Sequence, residues 1–240
     1  MVAADIAKKR AEEITEKFLH ELENSNREAL NQAQDPDFQY SLFTVQKEYA
    51  RSGNKNLGDL LVDILVERTK VPQRGLLQIV LNESLAVAPK LTTSQLSALS
   101  IIFSLKYTRY LRMTSLDMLR HYLSYRLAPF VEDLPKSRAS YQHLEFTGCG
   151  SISIGSTSIT NIFKQTYPGV FTRGFSREQF DNEIGKIKGA ERLLIPCLRN
   201  SSLFQFNAAY FEVLKESIKK EGINGSDYSK IETFWKKFLM

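Results

Sequence analysis

Apolar residues recur every three or four positions at the start of the chain, which is the spacing of a helix that buries one face. Residues 6–30 carry one narrow apolar stripe on an otherwise charged segment, and this predicts a first helix. Asp35 and Pro36 then supply an N-cap followed by proline at the first helical position, and Gly53 supplies an end. The pattern therefore predicts two helices in the first 53 residues.

The same periodicity continues to about residue 135. Asn56 is a predicted N-cap for a third helix, and the fourth is predicted over Leu76–Val87. Apolar residues cover most of the circumference of this fourth helix, so we expect it near the centre of a bundle. A fifth helix is predicted from Thr92/Thr93, and a sixth runs from Ser115 to Phe130 before Pro135.

The pattern changes after residue 136, where glycines and β-branched residues become common. Alternation over Ser151–Ile154 predicts a short strand, and two short helices are predicted over Ser158–Tyr167 and Ser176–Ile184. Leu193–Leu198 and Leu203–Phe206 are separated by turn-forming residues and predict a hairpin. Two charged helices, at about 208–220 and 228–238, complete the chain.

These elements predict a mainly α protein with two parts. Residues 1–135 form an antiparallel helical array, and residues 136–240 form a small α+β portion with two terminal helices. The order helix, strand, helix, helix, hairpin across 137–207 is that of a winged helix. The alternative is an irregular α+β cap on the helical array.

Composition and charge narrow the class of protein. The chain of 240 residues is 42% hydrophobic and 25% charged, as ordinary globular proteins are. The first 50 residues hold six basic and ten acidic groups, although the whole chain has a net charge of +5. This asymmetry indicates an acidic partner for the later part, or an acidic helix that folds back on it.

Neither a membrane span nor an export signal is predicted. The longest apolar stretches, 60–66 and 101–105, are far shorter than the ~18 residues of a spanning helix. The start of the chain is charged throughout, which excludes a signal peptide there. Cys149 and Cys197 are then expected to be reduced thiols in a cytoplasmic protein.

His143 and Cys149 are the candidate catalytic pair, because a cysteine nucleophile needs a neighbouring base and donors for an oxyanion. The alternative is a capped helix end, with Gly148 in the left-handed conformation and Cys149 turned inward. No metal site or cofactor is predicted, since the three histidines are far apart and no CxxC occurs. The glycine-rich run 148–155 also lacks the dinucleotide fingerprint and the P-loop Lys-Ser/Thr pair.

A second candidate site lies where basic residues alternate with tyrosines. Residues 106–126 hold five basic groups and one acid, Asp117. Such side chains neutralise phosphates and stack on unpaired bases. The candidate nucleic-acid-binding residues are Lys106, Arg109, Tyr110, Arg112, Arg120 and Arg126. The alternative is that the tyrosines are half-buried against the array while the arginine heads reach water.

Six segments resemble one bacterial family. They are residues 11–19, 35–51, 57–68, 77–85, 141–150 and 194–197, the last two being Tyr-Gln-His-Leu-Glu-Phe-Thr-Gly-Cys-Gly and Leu-Ile-Pro-Cys. The chain is similar to an accessory-gene family of uncharacterised activity, found near phage-defence and mobile-element genes. Its members have a polar N-terminal extension and more chain after position 240. The resemblance is thus compatible with a shortened form, or with a core that lacks an effector portion.

The expected function is a non-enzymatic interaction or sensing protein in bacterial phage defence. Its partner is another protein or a second copy of the chain. The alternatives are nucleic-acid binding by the basic tyrosine and arginine face or by a winged helix, and a hydrolase that depends on Cys149.

Overall fold

The chain is mainly helical, with one small antiparallel hairpin, in a computed structural model that describes residues 2–26, 34–71 and 73–238. It divides into two compact units. Unit 1 comprises residues 1–96 and 136–151, and unit 2 comprises residues 97–135 and 152–240. The chain passes from one unit to the other after residues 96, 135 and 151.

The helices and strands have the following bounds. The helices are α1 Val2–Ser25, α2 Pro36–Ser52, α3 Lys55–Thr69, α4 Leu76–Val87, α5 Thr93–Tyr107, α6 Leu116–Tyr122, α7 Ala128–Val131, α8 Arg138–Phe146, α9 Ile159–Thr166, α10 Pro168–Phe171, α11 Arg177–Glu183, α12 Phe211–Lys220 and α13 Gly225–Phe238. The strands are β1 Leu194–Pro196 and β2 Phe204–Phe206.

Helices α1, α2 and α3 pack together and enclose the core of unit 1. The apolar stripe of α1 is buried at Ile14, Phe18 and Leu22, as the periodicity predicts. Helix α1 ends at Ser25, and the predicted continuation to residue 30 falls on residues 27–33, which lie outside the described residues.

The capping residues fix where α2 and α3 begin. Asp35 caps α2, with its carboxylate accepting from the backbone N–H of Asp37, and Gly53 ends the helix in the left-handed conformation. Both features confirm the prediction. Asn54 rather than Asn56 caps α3, because its side-chain oxygen accepts from the N–H of Leu57. The predicted cap was two residues too late.

Helix α4 has the predicted bounds but not the predicted central position. Only Gln78 and Leu85 are buried, where α4 packs against α2 and α3. The other sides carry exposed aliphatic residues, namely Leu76, Leu77, Ile79 and Val80. The expectation of a central helix is wrong because neighbouring helices cover only one side of it.

In unit 2, the predicted sixth helix is interrupted by a wide turn. Helix α6 ends at Tyr122, and residues 123–127 continue as a π-helix before α7. The backbone N–H of Ala128 donates to the carbonyl of Leu123, which is five residues earlier. Pro129 explains the change, because its ring clashes with the carbonyl of Tyr125 in a regular helix and it has no N–H to donate.

The predicted hairpin is confirmed: β1 pairs antiparallel with β2, with Ile195 opposite Gln205. The backbone of Phe175 adds a single bridge to Phe204. The strand predicted over Ser151–Ile154 is wrong, since these residues are exposed and none of them lies in a strand. Of the elements in the predicted winged-helix order, the hairpin is therefore present and the strand at 151–154 is not.

Aromatic rings dominate the larger core of unit 2. Phe175 lies 4.8 Å from Phe234 and 5.5 Å from Phe206 between ring centroids. Helices α12 and α13 complete this core with Leu214 and Ile231. Ser176 opens α11 with a capping box, which is the start that the sequence predicts.

Within the described ranges, no helix has both the length and the apolar character needed to cross a bilayer.

Candidate functional site

One face of α6 and of the π-helical turn after it lines a cleft of about 450 Å³ in unit 2. We call it the α6 cleft. Its lining residues recur four apart along the helix, and Tyr110 of the preceding loop completes it. They are Tyr110, Asp117, Met118, His121, Tyr122, Tyr125 and Arg126. A volume of this size falls in the range of small-molecule sites, which are lined mostly by apolar and aromatic groups.

The floor of the α6 cleft is held in place by aromatic packing. Tyr122 is 9% exposed, and its ring meets Phe163 edge to face with centroids 6.5 Å apart. Tyr110 lies 6.3 Å from Tyr122, and its backbone N–H donates to the hydroxyl of Tyr167 at 2.8 Å. The positions of both tyrosines are therefore fixed by neighbouring residues of unit 2.

The outer wall of the α6 cleft is more open to solvent. Tyr125 is 70% exposed, and its ring lies 4.2 Å from that of His121 between centroids. Arg126 is exposed and has no ion-pair partner among the described residues. The wall thus presents an aromatic surface beside a free positive charge.

Asp117, an acidic residue that lines the α6 cleft, forms an ion pair. Asp117 accepts from Nη1 of Arg120 at 2.7 Å, and both side chains are exposed. This ion pair offsets the negative charge of Asp117. An anionic ligand would therefore meet the charge of Arg126 without an opposing free carboxylate among the described residues of the lining.

The predicted nucleic-acid-binding residues divide into those in the cleft and those beside it. Tyr110 and Arg126 line the cleft, whereas Arg120 pairs with Asp117. Lys106, Arg109 and Arg112 are exposed and do not line it, and the ammonium of Lys106 lies 5.5 Å from the ring centroid of Tyr107. The structure brings together only part of the predicted set.

The sequence-based candidate list omits several residues that line the cleft: Asp117, Met118, His121, Tyr122 and Tyr125. The sequence does contain a signal for them. Residues 117, 121 and 125 are spaced by four, as are residues 118, 122 and 126, so both sets lie on neighbouring parts of one helix face. Pro129 was the signal for the wide turn that precedes it.

His143 and Cys149 have separate hydrogen-bond partners in unit 1. Nδ1 of His143 lies 3.0 Å from Nε2 of Gln95, and Sγ of Cys149 lies 3.4 Å from the hydroxyl of Thr147. No hydrogen bond joins the two candidates in the described part of the chain. Gly148 has a φ of 76°, and the N–H of Cys149 bonds to the carbonyl of Leu144 at 2.9 Å, as at a capped helix end.

Among the described residues there is also no group of three His, Cys, Asp or Glu side chains that is arranged to hold a metal ion.

A second feature of unit 1 is the apolar face of α4, which we define by Leu76, Leu77, Ile79 and Val80. Leu76 is 78% exposed and Leu77 is 58% exposed. Tyr40 and Phe43 are also exposed on α2, the neighbouring helix that contacts α4. Exposed apolar helix faces mark interaction sites in many soluble proteins.

A protein-family model matches the chain over residues 1–240. The chain belongs to this family. No curated protein and no solved structure matches the chain significantly.

Proposed function

We propose that the protein is a non-enzymatic interaction or sensing protein of bacterial phage defence, and that it assembles with a second copy of itself through the apolar face of α4. The observation that carries this proposal is the exposure of four aliphatic side chains on one helix. Burying them against another surface is favourable because it removes apolar area from water.

The charge of α4 favours a second copy as the occupant. In a two-fold contact the same patch meets itself, so a patch whose charges are all of one sign repels its own copy. Helix α4 contains a single charged residue, Glu83, among its twelve residues. Glu83 follows Val80 by three positions and so lies on the same side of the helix, where it gives one pair of like charges in an otherwise uncharged contact.

Two further arguments support the proposal. The separate partners of His143 and Cys149 favour a non-enzymatic role over a cysteine hydrolase. The assignment to phage defence is supported by the resemblance of six segments to a family found near defence genes.

The oligomeric state tests the proposed interface. Light scattering of the purified chain should give a mass close to twice 27.4 kDa. The double variant Leu77→Asn/Val80→Asn should give the monomer mass, because two polar amides would be buried without partners. The matched control is Ile102→Asn/Phe103→Asn, which changes two exposed residues of α5 and should remain a dimer.

A monomeric parent protein would overturn the proposed interface. A dimer that is lost only in the α5 control would do the same. Circular dichroism of each variant separates a lost interface from a lost fold.

Phage challenge tests the biological role. Cells that express the parent protein should show a lower efficiency of plating for at least one phage than cells with an empty vector. The Leu77→Asn/Val80→Asn variant should lose this protection, and the α5 control should retain it. Equal plating with and without the gene across a diverse phage panel would contradict a defence role.

A further inference from the structure

We infer that the α6 cleft binds a nucleobase that carries a phosphate, with the base stacked on Tyr125 and the phosphate near Arg126. This inference goes beyond the proposed function, because it assigns a ligand class to unit 2 and does not depend on the apolar face of α4.

The aromatic lining is suited to a flat heterocycle. The rings of Tyr110 and Tyr122 lie with their centroids 6.3 Å apart, and the ring of Tyr125 is exposed. Stacking on such rings accepts any base, since every base has a π-face. The volume of about 450 Å³ also lies in the range found for small-ligand clefts.

The charges favour an anionic ligand over a neutral one. Arg126 lines the cleft with no ion pair among the described residues, while Arg120 already compensates Asp117. Arg109 and Arg112 flank Tyr110 in sequence, are exposed, and likewise have no ion pair within the described ranges. A guanidinium group suits a phosphate because it presents several donors in one plane.

Two sources present this chemistry: a free mononucleotide and an unpaired base in a single strand. Calorimetric titration with AMP, GMP, CMP and UMP tests the first source. Fluorescence anisotropy with labelled single-stranded DNA and RNA of about ten nucleotides tests the second. Binding to the single strand should fall log-linearly with salt, whereas binding to a mononucleotide should depend less on salt because fewer phosphates are contacted.

Two substitutions locate the site. Tyr125→Ala should weaken binding about tenfold or more through lost stacking, and Tyr125→Phe should restore it because the ring is kept. Arg126→Gln should weaken binding of either probe, and it should reduce the salt slope for the single strand by about 1. Both side chains are exposed, so neither change should unfold unit 2.

Arg199→Gln is the matched control, since Arg199 is an exposed arginine in the turn of the β1–β2 hairpin. It should leave binding unchanged if the ligand lies in the α6 cleft. A loss at Arg199 with none at Tyr125 or Arg126 would place binding on the hairpin and overturn the inference. Failure of every mononucleotide and every single strand to bind would also overturn it, whatever the oligomeric state of the chain.

Discussion

Arg68 is only 1% exposed, yet its Nη2 atom donates to Oδ2 of Asp37 at 2.8 Å. The same nitrogen lies 3.1 Å from Oδ2 of Asp35, the residue that caps α2. Asp37 also accepts from Nδ2 of Asn82 at 2.9 Å. These contacts connect the start of α2 to α3 and α4, so the charge of one buried arginine is compensated at a helix start.

Replacing Asp37 with asparagine should destabilise unit 1 by about 1–2 kcal/mol, because Arg68 loses a charged acceptor while the side-chain shape is kept. Urea unfolding followed by circular dichroism measures the change. Asp117→Asn is the control, since its ion pair with Arg120 is exposed and should contribute about 0–1 kcal/mol. Equal losses in the two variants would contradict a special role for the buried arginine.

The same contacts predict how the stability of the protein depends on pH. Hydrogen bonds from Arg68 and Asn82 hold the pKa of Asp37 below its usual value of 3.8. Folding therefore favours the ionised carboxylate of Asp37. The stabilising free energy that results is fully present at pH values above 3.8. It is lost as the pH falls from about 4 through the lowered pKa.

The Asp37→Asn variant should accordingly lose less stability than the parent between about pH 4 and pH 2. Urea midpoints measured at several pH values in this range give the comparison. Parallel curves for parent and variant would mean that Asp37 is not responsible.

Gly58→Ala should destabilise the protein although alanine normally favours a helix. A methyl group added at Gly58 would lie 2.7 Å from Cε2 of Tyr49 and 3.2 Å from Cδ1 of Ile14, both in the core of unit 1. We expect a loss of about 1–3 kcal/mol, because a well-packed core accommodates an extra carbon poorly. Thermal unfolding provides the measurement.

Gly150→Ala is the control for Gly58, since no atom of the described residues lies within 4 Å of a methyl group added there. Its stability should change by less than about 0.5 kcal/mol, as for other exposed sites. A stabilised Gly58→Ala variant would show that Tyr49 moves aside at little cost.

Local signals in the sequence were sufficient to predict most helices. The start of α2 at Asp35 and that of α11 at Ser176 follow from caps that act over three residues. The exposed side of α4 could not be predicted in this way. Its apolar residues surround the helix, and periodicity alone does not say on which side a neighbouring helix lies.

The prediction of the candidate site was incomplete for a similar reason. Composition indicated the basic and tyrosine-rich segment, but residues are brought to one cleft by their position on a helix face. Arg126 lines the cleft with Tyr110, whereas Arg120 pairs with Asp117 three positions away. A count of charges in the sequence does not distinguish a free arginine from a paired one, whereas the structure does.

Iodoacetamide should alkylate Cys149 no faster than an unfolded thiol. A reactive cysteine needs a base or cation that stabilises its thiolate, and the hydroxyl of Thr147 is the side-chain group found next to its sulfur. His143→Gln should leave the rate unchanged, because His143 bonds to Gln95 instead. Mass spectrometry of the peptide that contains Cys149 separates it from buried Cys197. A rate above that of the unfolded thiol, and lowered by His143→Gln, would instead restore the pair as a nucleophile and its base.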